Sequence, residues 1–392
     1  MPAFPTALPA PRTPASMEAP VLRWGVLGTG WIAERFIASV QRHTRQIFTA
    51  VASRDGARAE EFAGRHGIPH AYGSYEELAA AADVDVVYVA TEHTAHLDCA
   101  RISLTAGKHT LVEKPLALNA SQASEIARLA TERGLFCAEA LWTFFLPRFD
   151  VVRQILDAGV LGGIRTVLAD HGEHFAGGHR ILRTDLAGGP LLDLGTYPIS
   201  FAVAVLGEPV EVQAFAQPHP AGVNGQTAAL LRDADGGQGI VHTTLFSDTP
   251  TTATVAGTHA TLRLPGPFYQ PGEVLLTPAG GGTPLSYGEA RTAHDALHFE
   301  AAEVARCIGA GRLQTPLRPL EDSVSITSGD GRDPPTVRYL LARRGLRSSL
   351  GRGGTPAPTG GLTAARRQRF AGGPLVPRTT SFGSTTASRG SR

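Results

Sequence analysis

From Leu22 to about Ala140, short apolar runs alternate with segments whose apolar positions recur at helical spacing. That alternation is the mark of parallel strands joined by helices. It predicts strands at Arg23–Leu27, Ile47–Ala52, Val84–Ala90, His109–Val112 and Leu135–Glu139. The helix starts between them are marked chemically. Ser74 precedes Glu77 and Asn119 precedes Gln122, each at capping-box spacing, and Gly134 stops the second of these helices.

After Pro147 the pattern changes. A helix is predicted in RFDVVRQILDAG, a strand near IRTVLAD, and one continuous apolar helix from Leu191 to Leu206. Short strand-like runs follow in VEVQAFAQ, TAALLRDA, GIVHTTLF, TATVAG and ATLRLPG, with Asp235-Gly236-Gly237 as a turn and a last helix at Asp295–Ile308. The expected class is α/β. A doubly wound parallel sheet stands at the N-terminus, and a C-terminal α+β domain follows with an open, mainly antiparallel sheet. The expected divisions are an N-terminal extension over 1–20, a dinucleotide-binding domain over 21–146, a substrate and dimerisation domain over 147–326 and a basic tail over 327–392.

Composition adds mainly exclusions. The 392 residues suffice for two domains, and the net charge of +1 points to neither nucleic acid nor a membrane surface. No apolar run reaches the roughly 18 residues of a membrane helix. Cys99, Cys137 and Cys307 lie far apart and read as reduced structural thiols of a cytoplasmic protein. The proline- and alanine-rich start lacks the apolar core of a signal peptide, reads as disordered, and leaves Met17 as an alternative start to Met1. Beyond Asp333 no acidic residue occurs, and Gly, Ser, Thr, Pro and Arg replace the aliphatic pattern, which predicts disorder. The tail also admits a slipped reading frame: permitted codons for Asp330 to Val337, read one base later, can spell Met-Asp-Glu-Ile-Arg-Arg-Gln, an amphipathic helical segment.

The first strand runs into Gly28-Thr29-Gly30-Trp31-Ile32-Ala33, a G-x-G-x-x-A between strand and helix. The first glycine of such a turn allows the tight bend, and the second admits a pyrophosphate to the backbone at the helix start. At the end of the second strand stand Ser53 and Arg54, which suit the 2′-phosphate of NADP. NAD stays open, with Asp55 taking the ribose. Thr91, His93 and His96 follow the strand ending VAT and are cofactor candidates, as are Glu113 and Lys114 at the end of HTLVEKP. A lysine there can stabilise an alkoxide or favour a neighbouring phenolate.

Strand, G-x-G-x-x-A, VAT, GKHTLVEKPLA and GGPLLDLGTYP are similar in order and spacing to the Gfo/Idh/MocA family of oxidoreductases, over about Leu22 to Ser325. LVEKPLALNASQA, ALWTFFLPRF and LLDLGTYPISFA look most like its dihydrodiol dehydrogenase and NADP-dependent xylose dehydrogenase branch. The resemblance implies a Rossmann domain, a second domain whose open sheet forms a homodimer, and a sugar or cyclic diol substrate. It also implies that Lys114 and Asp193 are catalytic. Many members carry histidine four residues after that aspartate, and here the position is Tyr197, which takes the role of general acid and base. The spacing from Asp193 to Tyr197 is one helical turn, which puts both side chains on one face.

Trp142, Phe145 and Phe175 are candidates for an apolar substrate wall. His171, His174 and His179 have no ligand partner at metal spacing and suit hydrogen bonding to substrate or solvent, so no metal is expected. Two rival readings stay open: a sugar–sugar oxidoreductase with tightly held cofactor, and a non-catalytic NADP-binding sensor. An altered tail that leaves the product inactive is a third.

Overall fold

The computed structural model describes residues 4–327; the basic tail and its alternative frame lie outside the described residues. Six parallel strands form the first sheet: β1 (Arg23–Leu27), β2 (Ile47–Ala52), β3 (His70–Tyr72), β4 (Val86–Val89), β5 (His109–Glu113) and β6 (Cys137–Ala140). Their order is β3-β2-β1-β4-β5-β6, so the chain reverses direction of travel across the sheet between β1 and β4. A ligand crevice opens at such a switch point, outside the carboxyl ends of the strands. Strands β4 and β6 are buried at every residue, as sheets covered on both faces require. The capping residues act as their spacing predicts: Ser74 Oγ accepts from the Glu77 N–H at 3.2 Å, and Asn119 Oδ1 from the Gln122 N–H at 3.1 Å. Gly134 closes the later helix at φ 63°. Strand β3 escaped the sequence reading because three half-exposed residues carry no apolar run.

The second sheet has eight strands: β7 (Ile164–Gly172), β8 (Glu211–Pro218), β9 (Asn224–Arg232), β10 (Gln238–Thr244), β11 (Ala253–Gly257), β12 (Ala260–Leu264), β13 (Glu273–Pro278) and β14 (Leu285–Gly288). The order is β14-β13-β12-β11-β7-β10-β9-β8, antiparallel except where β7 meets β10. Strands β13 and β14 were not anticipated, since a glycine-rich stretch separates two short runs. The inner face buries Val167, Ala169, Ala229, Leu231, Val241 and Val255. Each buried valine or leucine of that set contributes about 1.5–3 kcal/mol. The outer face leaves Leu168, Ile240 and Leu230 in register across three strands, all more than a third exposed, with Phe215 82% exposed on β8.

Two expectations are corrected. The continuous helix from Leu191 to Leu206 is two helices, Pro190–Asp193 and Thr196–Leu206, interrupted at Leu194–Gly195. Pro198 has no N–H with which to bond the Leu194 carbonyl, and that carbonyl instead accepts from the Tyr197 N–H at 3.3 Å. The start of the chain, expected to be disordered, packs from residue 4 onward. Phe4 and Leu8 lie against the core, Arg12 pairs with Asp150 at 2.9 Å, and Arg306 Nη2 bonds the carbonyls of Pro14 and Ala15 at 3.0 Å. Its prolines lower the entropy lost on ordering, and its polar backbone finds partners. The three cysteines are free and buried. Among the described residues no single helix is long and apolar enough to cross a membrane.

Candidate active site

At the carboxyl end of β1 the backbone turns through Gly28 at φ 105°, where a Cβ would meet the Ala90 carbonyl oxygen at 2.4 Å. Only glycine satisfies that turn without strain. Gly30 precedes the helix Trp31–His43, has nothing within 4 Å of a notional Cβ, and leaves the helix N–H groups without a side-chain cap. Thr29, Gly30 and Ile32 are partly exposed and Trp31 is 55% exposed. An open cradle lined by free N–H donors fits the pyrophosphate of a dinucleotide. Ser53 follows β2, and its hydroxyl accepts from the Asp55 N–H at 3.3 Å. Arg54 projects to solvent, 3.7 Å from Glu92. Asp55 is already used as a helix cap, accepting from the Arg58 N–H at 3.3 Å.

Of the further cofactor candidates, Thr91 and His93 line the end of β4 and His96 does not reach the crevice. Both ring nitrogens of His96 face backbone carbonyls, Pro115 at 2.8 Å and Thr91 at 3.2 Å, and the side chain is fully buried. It ties the β4 loop to the β5 loop. His93 is buried with Nδ1 unpartnered, and burial holds its pKa well below the ordinary imidazole value. Glu113 turns inward: its carboxyl receives the Tyr88 hydroxyl and the Lys114 N–H. Burial pushes that carboxyl up to about 7. It supports the loop from behind, contrary to a direct cofactor contact.

Lys114, the next residue, points the other way. Its Nζ donates to Asp193 Oδ1 at 2.6 Å and to the Asp193 carbonyl at 2.9 Å. Asp193 Oδ2 receives Arg180 Nη2 at 2.8 Å. Burial works against the Asp193 charge, but Lys114 and Arg180 outweigh it and hold the carboxyl well below the usual carboxylate range. Lys114 Nζ lies 5.2 Å from the Tyr197 ring centroid, and the Tyr197 hydroxyl accepts from Trp142 Nε1 at 3.2 Å. The helix break does not separate Asp193 from Tyr197 chemically, because Lys114 approaches both.

The expected phenolate is corrected. Burial, reinforced by Tyr269, raises the Tyr197 pKa well above its ordinary value, so the hydroxyl keeps its proton. Lys114 spends its charge on Asp193 instead. Tyr269 stacks on Tyr197 at 4.3 Å and on His171 at 4.7 Å, and His171 Nε2 bonds Glu173 at 2.8 Å. His294 stacks on Trp142 at 5.3 Å and meets Trp31 edge-on at 4.8 Å. Phe145 is buried in the core, Phe175 stacks on His179 at 4.5 Å and packs against the cluster of Ile181 and Leu194, and His174 is exposed. Arg180, Tyr269 and His294 were missed by the sequence reading, since none sits in a motif. Among the described residues no group of three His, Cys, Asp or Glu side chains is placed to hold a metal.

Residues 22–140 match the model of an oxidoreductase family with an NAD-binding Rossmann fold, and residues 149–263 match the GFO/IDH/MocA C-terminal domain. The trans-1,2-dihydrobenzene-1,2-diol dehydrogenase of Bos taurus is 36% identical over 311 residues, covering 77% of this chain and 92% of the relative. That of Homo sapiens is 35% identical over 310 residues, with the same shares. Among solved structures, a 3-ketoreductase from Actinomadura kijaniata, in complex with NADP and TDP-benzene, superposes with a TM-score of 0.69 at 28% identity, over 78% of this chain and 95% of that one. A levoglucosan dehydrogenase with NADH and levoglucosan shares the fold, with a TM-score of 0.72 at 17% identity over 83% and 98%. With both halves of its fold matched, a glycine turn and a lysine at strand ends, and an aspartate on a short helix facing that lysine, this chain belongs to the Gfo/Idh/MocA family of oxidoreductases.

Proposed function

We propose that the chain is an NADP-dependent dehydrogenase acting on a ring hydroxyl of a sugar or cyclic diol, with Tyr197 as the proton donor and acceptor. The observation that carries this reading is the convergence of Lys114, Asp193, Tyr197 and Trp142, with His294 bridging Trp142 to Trp31 of the glycine turn. Gly28, Thr29, Gly30 and the start of the helix at Trp31 would hold the pyrophosphate, with Ser53 and Arg54 at the adenosine end. Arg54 has its guanidinium in solvent and Asp55 is engaged as a cap, which favours a phosphate over a bare ribose at this position. The bound nicotinamide supplies or takes the hydride.

The residues of the chain handle the proton. A Tyr197 hydroxyl that stays protonated is ready to donate as a substrate carbonyl oxygen gains charge during reduction, and the Trp142 N–H keeps its oxygen oriented. The ammonium of Lys114 stabilises that oxygen while Asp193 holds it in place. In oxidation the same tyrosine must first give up its proton, so the reverse reaction gains at alkaline pH. Trp142, Tyr269 and His294 form an aromatic wall that suits the flat face of a ring. The exposed row of Leu168, Ile240 and Leu230 supports a homodimer through the outer sheet face.

The test is a fluorescence titration of the protein with NADPH and NADH, followed by turnover on aldoses and trans-dihydrodiols. Tighter NADPH binding with turnover of a panel member supports the reading. Preference for NADH overturns the cofactor assignment, and binding without turnover of any polyol overturns the substrate class.

A further inference from the structure

We infer that Arg180 is a substrate-recognition residue that binds a second hydroxyl, on the carbon next to the one being oxidised, so that the site selects vicinal diols over simple alcohols. The inference rests on the reading above that the substrate is a sugar or cyclic diol.

Arg180 opens a short turn, Arg180–Leu182, that is fixed from three sides. His179 caps it by accepting the Ile181 N–H at 3.2 Å, Phe175 stacks on that histidine, and fully buried Ile181 packs with Leu194, Val223 and Leu245. The backbone of the turn is therefore anchored, while the arginine side chain stays 48% exposed. Among the described residues, the contact of Nη2 with Asp193 Oδ2 is the one hydrogen bond its guanidinium makes. A guanidinium carries five N–H donors in a planar fork, so most of its donor capacity is unspent.

Asp193 offers one carboxylate oxygen to each of two cations. Lys114 takes Oδ1 and Arg180 takes Oδ2, which brings two cationic heads to one edge of the crevice. Lys114 also lies 5.2 Å from the Tyr197 ring centroid, and Arg180 approaches the same carboxylate through its other oxygen. Two cationic donors held by one carboxylate suit two hydroxyls of one ligand. His93, buried with Nδ1 unpartnered, lies within electrostatic reach of Asp193, Lys114 and Arg180. A ligand with two adjacent hydroxyls gives these groups partners that a single hydroxyl cannot, and a site built to bond a hydroxyl rejects the analogue that lacks it.

The experiment compares kcat/KM for a trans-1,2-dihydrodiol and for the matching cyclic alcohol without the second hydroxyl, in wild type, Arg180→Gln and Arg180→Lys. NADPH affinity, measured alongside, reports whether each variant is folded. Wild type should prefer the diol by on the order of 100-fold or more. Arg180→Gln should lose at least about tenfold more on the diol than on the alcohol, chiefly through KM, and Arg180→Lys should fall between. Equal losses on both substrates, with NADPH binding intact, would show that Arg180 acts only through Asp193 and overturn the inference alone. Turnover of neither substrate by wild type overturns the functional reading and this inference with it.

Discussion

Lys114 and Asp193, which lie 79 positions apart in the chain, meet at 2.6 Å with both side chains largely buried. Lys114 leaves the end of β5 and Asp193 ends the short helix Pro190–Asp193, so this ion pair ties the parallel-sheet half of the fold to the antiparallel half at the candidate site. A buried pair of this kind does not by itself argue for stability, but breaking it leaves an uncompensated charge.

Asp193→Asn keeps the shape and removes the charge between Lys114 and Arg180. Breaking a buried pair costs roughly 3–5 kcal/mol, and the half-exposed Arg180 places this one at the lower end. The folded-state pKa of Asp193 is depressed, so its contribution is complete above the unfolded carboxyl value of about 3.9 and fades as pH falls toward the folded value. Denaturant melts should show a constant gap between wild type and variant from about pH 7 to pH 5, closing only in stronger acid. A gap that closes above that range would remove Asp193 as its source.

Tyr197→Phe should cut kcat by about 10²–10⁴ with NADPH affinity near normal. In wild type, diol oxidation should rise with pH through the neutral and mildly alkaline range, since the hydroxyl titrates above its ordinary value. Steady-state profiles in both directions test this, and turnover of the variant within a few-fold of wild type would take the proton-transfer role from Tyr197.

The two glycines of the cofactor turn should separate stability from binding. Gly28→Ala forces a Cβ against the Ala90 carbonyl at positive φ and should destabilise by about 1–3 kcal/mol. Gly30→Ala meets no protein atom within 4 Å and should melt within about 0.5 kcal/mol of wild type while losing cofactor affinity. Thermal melts with and without NADPH distinguish the two. A Gly30→Ala protein that binds NADPH normally would move the pyrophosphate elsewhere.

Arg54→Asp should weaken NADPH far more than NADH, by about 10- to 100-fold for a charge-assisted contact of roughly 1.5–3 kcal/mol. Competitive binding with both nucleotides measures the ratio. Equal losses would leave Arg54 as a solvated turn residue paired with Glu92.

Ile240→Lys places a charge at the centre of the Leu168–Ile240–Leu230 row without touching the inner core. Light scattering should show a dimer for wild type and a monomer for the variant. A wild-type monomer at micromolar concentration would dispose of the outer face as a dimer surface.

Much of the local chemistry was legible in the sequence, although the break that Pro198 imposes before Thr196 was not. Capping by Ser74 and Asn119, the stop at Gly134, the bounds of β1 and β2 and the turn at Gly28 depend on neighbours in the chain, and periodicity or side-chain geometry announces them. Lys114, Asp193 and Tyr197 were legible only through resemblance, because spacing along a chain carries no distance across it. What tertiary structure alone decided is how charge and burial are divided among them. Glu113 turns inward to Tyr88 while Lys114 turns outward to Asp193, since consecutive residues at a strand end face opposite sides. Tyr197 keeps its proton because burial, reinforced by the neighbouring Tyr269, outweighs the Trp142 hydrogen bond, while Lys114 pairs with Asp193. Arg180 enters the site from a turn with no motif, and the first residues pack because Asp150 and Arg306 offer them partners. Burial and pairing depend on residues far apart in sequence, and folding is what sets their distances.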